Sequence, residues 1–454
     1  MMKKKMSSCT TVLVGKAASY DGSTMIARNE DGYGRPNPQK FVVVQPAEQP
    51  TIFKSEANGV EVPLPTAPLR CTLTPDVDPA YGVWGGSGIN SQNVAMTACE
   101  TITTNPEILA IDPFVDEGIG EADFLSITLP YCQTAREGVS RLGQLLETYG
   151  TYEPNGIAFA DYDEVWYLET IGGHHWAAIR IPDDAYVIAP NRFNIDQFDF
   201  ESVDTLFSAD LPAMIEQFHL NPDTDQVNLR HIFGSATEKD RSYNNPRAWY
   251  IQQRFSLKPS GQPTDHDLPF ICRPNKQLTI ADVKWMLSAH YQNTPFDPYG
   301  QGTAEEQQRY RPIGLNRNEE VHILQIRNDV PAELAGIHWL AYGPNPFNGL
   351  VPFYAAVDQT PVVYRQTTVD FDPNNIYWLS RLVAVLADTN YNHYSELTTN
   401  FEANLLAQCR QQQINFEQKQ VLASADLALY NETVAQLAFK LTNQLLGQMV
   451  ALGR

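Results

Sequence analysis

Short β-branched runs separated by turn residues dominate the first hundred positions. Residues 9–15 read Cys-Thr-Thr-Val-Leu-Val-Gly, Tyr20-Asp21-Gly22-Ser23 supplies a turn, and residues 24–28 begin a second strand. Residues 41–44 and 94–99 read as further strands, with a Pro-rich irregular stretch at 45–80 and a glycine-rich turn before the second of them. Thr134-Ala-Arg-Glu137 has the form of a capping box and predicts a helix over 134–148, closed by Gly150. Four strands follow at 157–160, 164–171, 174–181 and 185–189, joined by Asp161-Tyr-Asp163, Gly172-Gly173 and Pro182-Asp-Asp184. Turn chemistry that short predicts an antiparallel meander.

Late in the chain the pattern changes period. A strand pair at 321–327 and 337–341 follows a helical stretch over 280–291. Residues 375–386 and most of 395–450 repeat apolar positions at helical spacing, as in Leu427, Leu429, Val434, Leu437, Ala438, Leu441 and Leu445. There are no internal repeats and no low-complexity linker. Strands interleaved with segregated helices favour one α+β domain built in layers, with residues 395–454 as a mostly helical C-terminal part.

Composition narrows the function. With 32 Lys and Arg against 53 Asp and Glu, the formal charge is −21, which repels phosphate backbones and anionic lipid and argues against nucleic-acid or membrane partners. The six cysteines (9, 71, 99, 132, 272 and 409) form no CxxC pair and no Cys/His cluster, so neither a disulfide framework nor a metal site is expected. The opening MMKKKMSSC has the lysines of an export signal but lacks its apolar run of ~7–15 residues. A cytoplasmic protein is the expectation. A lipid-anchored protein acylated at Cys9 is the disfavoured alternative.

Cys9 is where the chemistry concentrates. Were residues 1–8 removed, Cys9 would carry both a thiol and a free α-amine whose pKa of ~7.7–8.0 suits a general base at neutral pH. Taken alone, Cys9 reads more readily as a buried strand cysteine than as a nucleophile. Its company changes the reading. Met25-Ile-Ala-Arg28-Asn-Glu-Asp31 lies on the strand after an Asp-Gly turn, and a hairpin of that length returns Arg28 and Asp31 towards Cys9. A guanidinium beside a thiol favours thiolate, and a carboxylate can orient an amine. A surface ion pair is the blander alternative for the two. His174-His175-Trp176 is expected on a strand, where neighbouring side chains face opposite ways, so a structural role is favoured over a shared metal. Gly85-Gly86-Ser87-Gly88 lacks the lysine of a P-loop and reads as a turn near the pocket.

The segment CTTVLVGKAASYDGSTMIARNEDGYG resembles the start of the N-terminal-nucleophile cysteine dipeptidases of the dipeptidase A family, and more distantly the penicillin V acylases and bile-salt hydrolases. GINSQNVAMTACET, TAREGV, DEVWYLETIGGHHWAAIRIPDDAYVIAPN and YNNPRAW extend the resemblance through most of the chain. It implies the N-terminal-nucleophile (Ntn) hydrolase fold, a four-layer αββα sandwich spanning residues 9–454 after a leader, 1–8, is lost. It implies catalytic roles for Cys9, Arg28 and Asp31. Asn191 matches the asparagine of the oxyanion hole, whose amide donor is typically worth ~3–4 kcal/mol of barrier. Arg247 matches the distal active-site arginine, with Arg241 a rival. The acylases' second asparagine falls here on Glu100, which would suit the ammonium of a free peptide N-terminus, a structural salt bridge being the alternative. The implied reaction is dipeptide hydrolysis through a thioester, with no cofactor and no metal. The alternatives are an amide acylase of the penicillin V acylase type and a catalytically silent relative. The partner is a small peptide substrate, and the oligomeric state, a homo-oligomer included, stays open.

Overall fold

The first two strands, β1 (Thr10–Val14) and β2 (Thr24–Asp31), form a hairpin in which Thr11 stands opposite Arg28 and Val14 opposite Met25. Asp21 caps the connecting turn, accepting from the backbone of Ser23 and from the hydroxyls of Ser19 and Ser23. A computed structural model describes residues 8–32, 34–100, 103–259, 261–418 and 423–453, and its sheets are antiparallel. The expected leader falls almost wholly outside the described residues; Ser8 alone of it lies within.

The remaining principal strands are β3 (Ser87–Ile89), β4 (Ala95–Glu100), β5 (Asn155–Ala160), β6 (Val165–Thr170), β7 (Trp176–Ile181), β8 (Tyr186–Ala189), β9 (Thr205–Phe207), β10 (Ile271–Cys272), β11 (Asn318–Ile326), β12 (Gly336–Tyr342) and β13 (Val351–Tyr354). They form a seven-stranded sheet ordered β10-β8-β1-β2-β11-β12-β13 and a six-stranded sheet ordered β9-β7-β6-β5-β4-β3. Because side chains alternate along a strand, Leu13 and Ile26 leave one face of the first sheet and share a core with Ala158, Tyr167, Ala177 and Ile179 of the second. Val12, Val14, Met25 and Ala27 leave the other face and pack with the helices α4 (Ile280–Ser288), α5 (Ile376–Thr389), α6 (Tyr391–Glu417) and α7 (Ser424–Leu452). On the far face of the second sheet, Met96, Ile157, Phe159 and Trp166 pack against α1 (Glu121–Thr128) and α2 (Ala135–Tyr149).

Three expectations need correction. The four-strand meander stops after β5-β6-β7. The chain then leaves the second sheet, and β8 pairs with β1 in the first, Thr11 opposite Ala189. The crossing passes hard against Gly15, where a β-carbon would sit 2.4 Å from the Pro182 carbonyl. His174 and His175 are not on the strand, which begins at Trp176. They lie in the turn before it, and both rings and both backbone N–H groups face Asp112, whose carboxyl is held down at about 2 by His175 and the two amides against the cost of burial. Leu429, read as part of the apolar stripe of α7, is 66% exposed, whereas Leu427, Val434, Ala438 and Leu445 are buried.

The helix over 134–148 is observed as α2. Thr134 caps it by accepting from Glu137, although the Glu137 side chain reaches back to the Gln133 amide rather than to Thr134.

Candidate active site

Cys9 lies immediately before β1, on the face shared by Thr11 and Leu13, so its thiol points between the two sheets. Arg28, opposite Thr11 on β2, points into the same space and donates from Nη1 to Cys9 Sγ at 3.1 Å. Both side chains are fully buried. The guanidinium is held in place by the second sheet: Nε donates to Thr97 Oγ1 at 2.9 Å and Nη2 to the Gly86 carbonyl at 3.1 Å. The glycine-rich segment before β3 therefore lines the site through its backbone.

Two acids share that guanidinium. Glu30 pairs with Nη2 at 3.2 Å and Glu121 stands 3.7 Å from Nη1. Glu121 opens α1, its backbone N–H donating to Glu153, directly after Gly120, where a β-carbon would run into the Tyr152 ring at 2.2 Å. Burial drives the Glu121 carboxyl far above its usual range despite the charge of Arg28, and so favours its protonated form.

Burial alone would raise the Cys9 thiol. A hydrogen bond with Cys99 and the adjacent Arg28 charge overcome it and bring the thiol down to about 6. Cys99 moves the other way: its bond to Cys9, followed by burial, holds it far above the ordinary thiol range. Cys9 is thus the thiolate at neutral pH, and Cys99 the protonated donor beside it. The other described cysteines are free and buried, with Cys71 and Cys132 pushed up to about 12 by burial. This separates one lowered thiol from a set whose thiols are raised by burial.

Asn191 follows β8, and the pairing of β8 with β1 carries it to Cys9. Its Nδ2 donates to Cys99 Sγ at 3.4 Å and its Oδ1 accepts from Arg247 Nη2 at 2.8 Å. Arg247, in the first turn of α3 (Asn245–Phe255), also donates to the Cys9 carbonyl at 2.7 Å, Thr10 Oγ1 at 2.8 Å and Asn244 Oδ1 at 2.6 Å. Arg241, its rival in the sequence, lies in the preceding turn with its side chain 57% exposed, 4.0 Å from Glu238.

Asp31 sits on the opposite face of β2 from Arg28, as alternation requires. It accepts from Asn29 Nδ2 at 2.8 Å and from Asn318, and pairs with Arg311. Asn29 in turn accepts from the Thr10 backbone N–H at 2.9 Å. Arg311 Nη2 donates to the Ser8 carbonyl at 3.0 Å, so Asp31 stands one guanidinium away from the Ser8–Cys9 peptide bond. The backbone of Glu100 ends β4 opposite Asn155, but its side chain lies outside the described residues.

Sequence reasoning missed Cys99, Glu121, Arg311 and Tyr243. It also missed a polar chain behind Arg28. Thr97, which accepts from Arg28, meets His322 Nε2 at 2.9 Å, and His322 Nδ1 meets Glu320 at 2.7 Å. Burial pushes Glu320 far up and His322 far down, in each case towards the neutral form. Both residues lie on β11, two apart and hence on one face, which is the signal that was available. Among the described residues, no group of three or more His, Cys, Asp or Glu side chains is placed to hold a metal ion.

The chain matches Peptidase family C69 over residues 8–404. It is 54% identical to a protein named probable dipeptidase B from Lactococcus lactis, covering 99% of this chain and 96% of that one. It is 53% identical to dipeptidase A from Lactobacillus helveticus, covering 98% and 97%. A dipeptidase from Bifidobacterium longum is 48% identical over 87% of this chain and 80% of its own. The chain belongs to peptidase family C69.

Proposed function

We propose that the protein is a dipeptidase that uses Cys9 as an N-terminal nucleophile, after the bond between Ser8 and Cys9 is cut. The observation that carries the reading is the Arg28 guanidinium 3.1 Å from a buried Cys9 sulfur whose thiol is lowered to about 6. A buried thiolate backed by a fixed cation is a poised nucleophile, not a packing cysteine. The dipeptidase names of the relatives support the substrate class.

In this reading the Cys9 sulfur attacks the carbonyl carbon of the substrate's peptide bond. Asn191, its carbonyl side pinned by Arg247, turns its amide N–H towards the oxyanion. The α-amine freed by loss of Ser8 passes a proton to the departing amine, so the peptide C–N bond breaks as a thioester remains on Cys9. Water, deprotonated by the same amine, then releases the acyl group. Arg28 stabilises thiolate at the start and again when the thioester breaks.

The shared core of the two sheets, with helices packed on both outer faces, supports reading residues 9–454 as one Ntn-hydrolase domain, a four-layer αββα sandwich. All six cysteines are buried thiols outside any disulfide, which supports reading the enzyme as one of a reducing compartment such as the cytoplasm. No helix among the described residues is long and apolar enough to cross a membrane. Glu100 remains the proposed partner of the substrate ammonium; Glu100→Gln should erase the preference for free over N-acetylated dipeptides, and an equal loss on both would reject the role.

Intact mass and dipeptide hydrolysis, measured on one preparation, test the whole reading. Active protein should begin at Cys9 and keep its activity in excess chelator. Active protein that retains Ser8 would reject the amine as base, and activity lost to chelator and restored by a divalent metal would reject the thiol mechanism.

A further inference from the structure

Tyr243 carries an unusual concentration of positive charge for a chain of formal charge −21. The guanidinium of Arg311 lies 5.3 Å from its ring centroid, that of Arg247 5.3 Å and the Lys239 ammonium 5.4 Å, while Arg317 Nη2 donates to its hydroxyl at 2.9 Å. Among the described residues the carboxylate paired with this cluster is Asp31, on Arg311. The Arg311 side chain is only 7% exposed, yet among the described residues its Nε and Nη1 have no hydrogen-bond partner, and neither does Arg317 Nε. Buried guanidinium donors left open are costly unless a ligand satisfies them.

Ser8 marks where such a ligand sits. Its carbonyl accepts from Arg311 Nη2 at 3.0 Å, and its hydroxyl accepts from Tyr243 at 2.7 Å. Ser8 is bonded to the Cys9 nitrogen, so when that bond is cut these donors surround the space beside the new α-amine. That amine must hand its proton to the leaving nitrogen of the substrate, which therefore lies in the same space. In a dipeptide the free carboxylate carbon is two bonds beyond the leaving nitrogen, at most ~3 Å away. The carboxylate and the open guanidinium donors are thus brought together.

We propose that Arg311 and Arg317, arranged around Tyr243, form the subsite for the free C-terminal carboxylate of the peptide substrate, and that Ser8 fills this subsite until the Ser8–Cys9 bond is cut. The proposal rests on the N-terminal-nucleophile reading of Cys9. It deepens that reading by giving a physical reason for a preference for dipeptides, because in a longer peptide the same position is a neutral amide.

The test compares a dipeptide with the same dipeptide carrying a C-terminal amide, on processed wild-type enzyme and on Arg317→Met and Arg311→Lys. Intact mass first establishes which preparations have lost Ser8. Wild type should favour the free acid by roughly 10- to 100-fold in kcat/KM, mostly through KM. Arg317→Met should lower kcat/KM for the acid about tenfold and leave the amide within about twofold. Equal treatment of acid and amide by an active wild-type enzyme would overturn the subsite while leaving the nucleophile reading intact, as would an equal loss on both substrates in Arg317→Met. A wild-type protein that hydrolyses no dipeptide would reject the reading beneath it and the subsite as well. Should the variants misfold, product inhibition of wild type by a free amino acid, set against its amide, reads the same discrimination; inhibition by the two at equal concentration overturns it.

Discussion

The space between the two sheets is divided along the strands into halves with opposite chemistry. At one end Leu13, Ile26, Leu324 and Ile326 meet Ala158, Ala160 and Tyr167 in an apolar core. At the other end, on the same faces of the same strands, Cys9, Arg28 and Glu30 meet Thr97, with Glu320 and His322 beside them. Both halves are fully sealed from solvent. In the apolar half burial supplies stability at roughly 25 cal/mol per Å². In the polar half it raises the cost of every charge, and the cost is met by pairing Arg28 with thiolate and carboxylate at once. What the contrast teaches is that one strand hairpin serves as apolar wall and as the frame of a buried charge cluster, the boundary falling between Ile26 and Arg28.

The comparison breaks most completely at Cys9. Cys9→Ala should abolish dipeptide hydrolysis and leave Ser8 attached, with the fold kept but thermal unfolding lowered, since the alanine keeps the strand and leaves the buried Arg28 charge without its thiolate partner. Residual activity at wild-type level would show that the polar half is scaffolding.

Arg28→Met should follow in size. The thiol loses its cation, so its titration should move up from about 6 towards the ordinary thiol value of ~8.5, read as the pH dependence of alkylation on processed enzyme. At pH 6.5 the thiolate fraction and the rate then fall together, by about 10²-fold. Removing one partner of a buried charge group should also cost ~3–5 kcal/mol of stability. An unmoved titration would assign the low thiol value to Cys99 instead.

Leu324→Ala sharpens the contrast from the other side. It should cost ~2–5 kcal/mol in denaturant unfolding, as a buried truncation does, and leave the thiol titration near 6. A shifted titration would mean that the two halves are mechanically coupled.

Those halves were not equally legible. The hairpin that presents Cys9 and Arg28 could be read from β-branched alternation around Asp21-Gly22, because local pairing needs no knowledge of the rest of the chain. Asn191 and Arg247 entered by resemblance, not by pattern. The sheet change before β8, which carries Asn191 to Cys9, is not written in the turn Pro182-Asp-Asp184, since such a turn serves a meander equally well; Gly15 was its one sign. Arg311 reaches Ser8 across 303 residues from a segment without periodic structure, and no local signal reports a contact of that span. Glu121 is one acid among many in the sequence, and only its position at the start of a buried helix sets it apart.

The smallest effect is expected at Glu320, and its smallness is informative. Glu320 is fully buried, bonded to His322, and lies in the polar half. Burial raises its carboxyl far above the usual value of 4.5, with the charge of Arg28 opposing and that of Glu30 reinforcing the shift. A carboxyl whose folded pKa is raised stabilises the fold fully below its unfolded pKa of ~4.3, and that stability is lost as pH rises through the folded pKa. Glu320→Gln keeps the shape and most of the hydrogen bonding of the neutral acid and has no proton to lose. Near pH 5 the variant should therefore unfold within about 1 kcal/mol of wild type. As pH rises, wild type should lose stability relative to the variant, which is the sign expected of a buried acid kept neutral. Dipeptide hydrolysis should change little, because the charge on Arg28 is already matched by Cys9 and Glu30. The check is denaturant unfolding of both proteins at several pH values from 5 to 9. A wild type that gains on the variant with rising pH would mean that Glu320 is ionised, and that the polar half carries one more negative charge than its geometry accounts for.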